Sequence, residues 1–173
     1  MPDSPAAASS RTALRTARFQ RLLFGGVYGT VLASSLASAL DHDHGQPDPA
    51  YDALWILVAA MTAAAAHGYA HAIAHWTATS GTVTGMTARS VVTEWPLVAA
   101  AVPTLFALLG ASAGWWGENG GVEVVLIVNT VALFAWGLAA ARVAGQGWGA
   151  ATRVGGVDVL IGLLIIAVNA ASH

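Results

Sequence analysis

Apolar positions in this chain gather into five long runs, approximately Leu22–Leu40, Ala53–Trp76, Ser90–Gly114, Val122–Val143 and Val154–Ala171. A helix that crosses a bilayer needs ~20 apolar residues at 1.5 Å of rise each, and every run is close to that length. The polar stretches between them read as connectors: Asp41–Asp52 holds four aspartates and two prolines, and Thr77–Arg89 is rich in Thr, Ser and Gly. Trp115-Trp116 and Gly145-Gln146-Gly147-Trp148-Gly149 put indoles where interfacial belts form. The pattern predicts an all-α polytopic membrane protein of five transmembrane helices. It divides into a basic N-terminal segment over 1–21, disordered at least through the Pro/Ala/Ser tail Met1–Ser10, and a transmembrane domain over 22–173.

Composition agrees with this reading. The 173 residues are 56% hydrophobic and 9% charged, whereas a soluble domain carries roughly 25% charged residues to cover its wetted surface. There is no cysteine, which excludes disulfide frameworks and thiolate metal sites. The net charge of −2 says less than where the charges fall. Arg11, Arg15, Arg18 and Arg21 share one side of a helix directly before the first apolar run. Such a cluster can contact nucleic acid, but abutting an apolar run it marks a cytoplasmic membrane flank; the expected partner is the lipid bilayer, with no nucleic acid.

Five spans with the N-terminus inside and the C-terminus outside put Arg89 in a cytoplasmic loop and Arg142 and Arg153 beside another. All seven basic residues then lie inside, and the outer segments hold Asp41, Asp43, Asp48, Asp52, Glu118 and Glu123 without a base. The reverse topology would expel every arginine, against the positive-inside bias. The expected location is the plasma membrane, as a multi-pass protein. A cleaved signal peptide is the rival reading of the first run, with Ala37-Ser38-Ala39 imitating a cleavage site. Its apolar stretch exceeds an ordinary h-region, and Gly25, Gly26 and Gly29 suit helix packing, so the span is expected to be retained.

Ionisable groups inside hydrocarbon cost at least ~2.5–3.5 kcal/mol at a helix centre and call for an explanation. His67, His71 and His75 stand at i, i+4 and i+8 on the second helix and span about 80° of arc. Entering from outside near Leu54, that helix places His67 ~20 Å and His71 ~26 Å down, with His75 at the inner boundary. Glu94 on the third helix and Asp158 on the fifth are each about four residues inside helices that begin at the cytoplasmic face. All five groups share one depth, as a common polar site requires. Two chemistries fit: binding of a divalent ion such as Fe²⁺, Mn²⁺ or Zn²⁺ by imidazoles and carboxylates, or proton transfer through imidazole between Glu94 and Asp158. A plainer reading has His71 and His75 reach the headgroups, Glu94 pair with Arg89 and Asp158 with Arg153. Asp41-His42-Asp43-His44 is read as a solvated acidic loop, Asn129 and Asn169 as interhelical hydrogen-bonders, and Pro96 and Pro103 as kink sites in the third helix.

The chain resembles the vacuolar iron transporter family of small five-helix membrane proteins. The stretch from Ala132 to Arg142 and from Arg153-Val154-Gly155-Gly156 to Ala171 is similar to that family's last two helices. Phe24-Gly25-Gly26-Val27-Tyr28-Gly29 stands where the family has a Gly-x-Asn-Asp-Gly turn, and His67-Gly68-Tyr69 where it has Gly-Glu-Tyr. The resemblance implies divalent-metal export driven by a proton gradient. Tyr28 replaces the first helix's metal-pathway aspartate and Gly68 the second helix's glutamate, and the family's Glu-rich insertion has no counterpart in Thr77–Arg89. The expected function is thus a divalent-metal or proton-coupled transporter, a homodimer and not an enzyme, with His67, His71, His75, Glu94 and Asp158 as the site. The alternatives are a non-catalytic membrane subunit and an intramembrane metal-dependent hydrolase. Because the chain has no cysteine, the orientation is directly testable. Single cysteines at Gln46 and Thr84 should be labelled by an impermeant maleimide from opposite sides of intact cells, Gln46 from outside, and the reverse pattern would overturn the topology.

Overall fold

The computed structural model describes residues 5–40, 48–78, 90–116 and 120–171, and all its elements are helical. In chain order they are α1 (Pro5–Leu40), α2 (Pro49–Ala78), α3 (Trp95–Ala99), α4 (Val102–Ser112), α5 (Gly121–Val143) and α6 (Trp148–Ala171). Five stretches are long and apolar enough to cross a membrane: Phe19–Leu40, Pro49–Ala74, Trp95–Ser112, Gly121–Val143 and Trp148–Ala171. α1 runs unbroken from Pro5 through the arginine-bearing stretch, so the change of composition near residue 21 falls within one helix. At 1.5 Å per residue its 36 residues extend about 54 Å, well beyond a hydrocarbon core of ~30 Å.

Proline chemistry shapes the third span. Pro96 and Pro103 have no N–H to give to the carbonyls four residues earlier, Val92 and Ala99, and their rings crowd those carbonyls. The helix accordingly breaks twice. Glu94, with φ −87° and ψ 10°, joins a helical turn over 90–93 to α3, and Ala100-Ala101 joins α3 to α4. Tighter i→i−3 bonds bridge each break, Glu94 N–H to the Val91 carbonyl (3.1 Å) and Ala101 N–H to the Val98 carbonyl (3.1 Å).

Glycine ends two helices in the same way. Gly114 (φ 75°) and Gly145 (φ 79°) adopt the left-handed conformation, and paired bonds close the helix ends behind them. Gly114 and Trp115 donate to Ala111 and Gly110, and Gly145 and Gln146 to Arg142 and Ala141. The second motif turns the chain so sharply that α6 begins at Trp148, six residues before the apolar run it was expected to follow. Arg142 secures this turn, with Nη1 donating to the Gln146 carbonyl (2.7 Å) and its guanidinium 4.5 Å from the Trp148 ring centroid.

α2, the third span, α5 and α6 pack side by side in sequence order, and α1 touches every one of them. Small residues form the interior: Ala33, Ala37, Ala60, Ala64, Ala101, Ala107 and Ala151 are buried, whereas Leu160, Leu164, Val131 and Phe106 are about 60% exposed. A soluble protein buries its large apolar side chains; lipid removes that incentive and rewards close backbone approach. At Gly29 a Cβ would stand 2.6 Å from the Leu97 carbonyl oxygen, and at Gly68 it would meet the Ser90–Val91 backbone. Buried hydroxyls are satisfied within α1, Thr30 donating to the Gly26 carbonyl (2.7 Å) and Ser34 to the Thr30 carbonyl (2.8 Å). Both asparagines bond between helices as expected. Asn129 donates to Thr104 (2.7 Å) and Thr104 donates back (3.1 Å), while Ser38 donates to Asn169 (2.6 Å).

Gly29→Ala and Gly68→Ala should each destabilise the fold by ~1–3 kcal/mol, the usual cost of overpacking, while Gly149→Ala, with open space around it, should be neutral. Asn129→Leu should cost about 1 kcal/mol. Reversible unfolding of the purified protein in mixed micelles measures all four.

Candidate functional site

The site begins with the absence of a side chain. Gly68 lets α2 lie directly against the Ser90–Val91 backbone, and this contact carries the start of the third span to the histidine stripe. His71, one turn beyond His67, then stands with Nε2 3.8 Å from Glu94 Oε1. The Pro96 break supplies the other half of the geometry, because it leaves Glu94 at the joint between two helical pieces rather than within a continuous helix.

The two partners occupy different surroundings. The Glu94 side chain is 8% exposed and that of His71 61%, so the pair crosses the wall of the bundle from inside to outside. Its separation exceeds a direct hydrogen bond, so the contact is Coulombic or bridged by a water. Among the described residues the Glu94 carboxylate has no hydrogen-bond donor. A carboxylate so placed in a membrane protein is costly without a partner, and the His71 imidazole is the ionisable group beside it.

His67 meets rings instead. Phe24 and Tyr28, one turn apart on α1, stack at 5.7 Å and an interplanar angle of 5°. The imidazole stands edge-on to both, with centroids 5.4 Å from Phe24 and 5.2 Å from Tyr28. This aromatic trio joins α1 to α2 one turn from the His71–Glu94 pair. Sequence reasoning placed Phe24 and Tyr28 in a glycine-rich packing segment and did not connect them to the histidines. Their i, i+4 spacing was the available signal.

Asp158 lies elsewhere. It packs against Gly137 of α5, where a Cβ would overlap its carboxylate, and α6 runs along α5 with a smaller contact to α1. The expectation of one site shared by His67, His71, His75, Glu94 and Asp158 thus separates into a His71–Glu94 pair, a His67 aromatic contact and a distinct Asp158 position. The physical reason is rotational: Asp158 turns to α5 and the α2 histidines to α1 and the third span. Among the described residues no three His, Asp or Glu side chains gather as a metal-holding group. The His75 side chain, Arg89 and Asp41-His42-Asp43-His44 lie outside the described residues. In place of the Asp158–Arg153 pair of the plainer reading, Arg153 Nε donates to the Gly149 carbonyl (3.1 Å).

Compared with known proteins, the chain matches no family model, no curated protein and no solved structure.

Proposed function

We propose that this integral membrane protein is a proton-coupled transporter in which His71 and Glu94 form the proton-binding element. The observation that carries the reading is a buried carboxylate, set at a proline-made break in a membrane-spanning helix, with an exposed imidazole 3.8 Å from it. The contact between them ties α2 to the third span. Proton binding at the pair loosens that contact and frees the third span to move about its joints at Glu94 and at Ala100-Ala101. Broken helices of this kind are tolerated in membranes where the freed backbone is satisfied locally, and they give transporters their moving parts.

The cargo that best fits the resemblance to vacuolar iron transporters is a divalent cation, Fe²⁺, Mn²⁺ or Zn²⁺. Glu94 and His71 supply one oxygen and one nitrogen of its coordination, and the remaining ligands would come from water or from a second copy in a homodimer. The reading includes the plasma membrane as location, the N-terminus inside, and no enzymatic activity.

Flux of protons and Mn²⁺ into proteoliposomes, read with paired fluorescent dyes, tests this. Wild-type protein should couple the two fluxes, Glu94→Gln and His71→Ala should fall to the level of protein-free liposomes, and Asp158→Asn should keep most of the flux. Full flux in both pair variants, at equal reconstitution, would remove the pair from any transport role. Flux absent from the wild type would favour a structural membrane subunit instead.

A further inference from the structure

A second feature of the third span's first break is independent of the proton pair. α1 and the start of the third span enclose a cleft of about 440 Å³ lined by Arg21, Leu22, Val92, Thr93, Trp95 and Pro96. Pro96, which interrupts the helix there, forms part of its wall and packs against Gly25 of α1. Glu94 does not line it; its carboxylate is directed to His71.

The lining divides by chemistry. Arg21 and Trp95 bring N–H donors, and neither the guanidinium nor the indole N–H has a hydrogen bond or ion pair among the described residues. The Thr93 hydroxyl donates to the Ser90 carbonyl (2.7 Å) and stiffens the wall rather than offering a donor. Leu22, Val92 and Pro96 make an apolar floor. The cleft also lies at the depth where the apolar span Phe19–Leu40 begins, the level of lipid phosphates, and α1 continues outward through Arg18, Arg15 and Arg11. An arginine and an interfacial tryptophan over apolar surface are the complement of a phosphate attached to a glycerol and acyl chains.

We infer that this cleft is a binding site for the headgroup of an anionic phospholipid. The Arg21 guanidinium takes the phosphate oxygens, the Trp95 indole donates at the glycerol level, and the first acyl methylenes lie on Leu22, Val92 and Pro96. A free phosphate would satisfy Arg21 but gain nothing from the apolar floor. The Arg21 charge favours a headgroup of net negative charge over a zwitterionic one by about fivefold.

Native mass spectrometry of the detergent-purified full chain, titrated with phosphatidylglycerol and with phosphatidylcholine, tests the site. Phosphatidylglycerol should be retained about fivefold more tightly, and Arg21→Gln should reduce it to the phosphatidylcholine level. Trp95→Ala should weaken both lipids, and Arg15→Gln should weaken phosphatidylglycerol less than Arg21→Gln does. All variants are compared at matched thermal stability, so a folding defect is seen as such. Unchanged lipid retention in Arg21→Gln would overturn the inference, as would equal losses in Arg15→Gln and Arg21→Gln, which indicate diffuse attraction. Displacement of the lipid by equimolar inorganic phosphate would reassign the cleft to a free anion.

Discussion

Inside a bilayer, apolar side chains gain nothing by leaving lipid for protein, and the rest of this structure follows from that constraint. Helices associate here where backbones can come close and where a few polar groups find partners. Alanine, glycine, serine and threonine line much of the interior beside Ile56, Leu97, Leu108, Val125 and Leu133, and many other leucines and valines face outward. α1 carries Gly25, Gly26 and Gly29 against Pro96, Trp136 and Leu97. It therefore reaches both the third span and α5, and it organises the arc of the other spans around itself.

The same close packing determines the site. Gly68 removes the side chain that would hold Ser90 and Val91 off α2, and the approach that results sets Glu94 beside His71. Pro96 then has two effects at one joint. It places Glu94 at the end of a helical piece with its carboxylate buried, and it lines the cleft that Arg21 and Trp95 share. A position tolerated as a mere bend in many helices here adjoins both a buried carboxylate and a cleft that holds Arg21. The aromatic contact of His67 with Phe24 and Tyr28 fixes the facing of α2 toward α1, so that the next histidine along the stripe faces the third span.

Much of this was legible in the residues. The five spans follow from the length of the apolar runs, because hydrocarbon thickness imposes a minimum that chance runs rarely meet five times. The third span's bends could be read from Pro96 and Pro103, and the interhelical roles of Asn129 and Asn169 from the cost of an unpaired amide in lipid. The start of α6 was misplaced because Gly147-Trp148-Gly149 reads as loop. The compact glycine turn at Gly145 uses so few residues that the helix resumes at Trp148.

Depth is a one-dimensional quantity, set by counting residues at 1.5 Å each, so the sequence by itself gives an expected level for His67, His71, His75, Glu94 and Asp158 from their positions in the runs. Which of them meet depends on how each helix is rotated and which neighbour it packs against. In lipid no amphipathic stripe announces that rotation, because both the buried and the outward faces are apolar. Only the tertiary structure decided it, through glycine contacts scattered over four helices. It brought His71 to Glu94, gave His67 to the rings of α1, and turned Asp158 to Gly137.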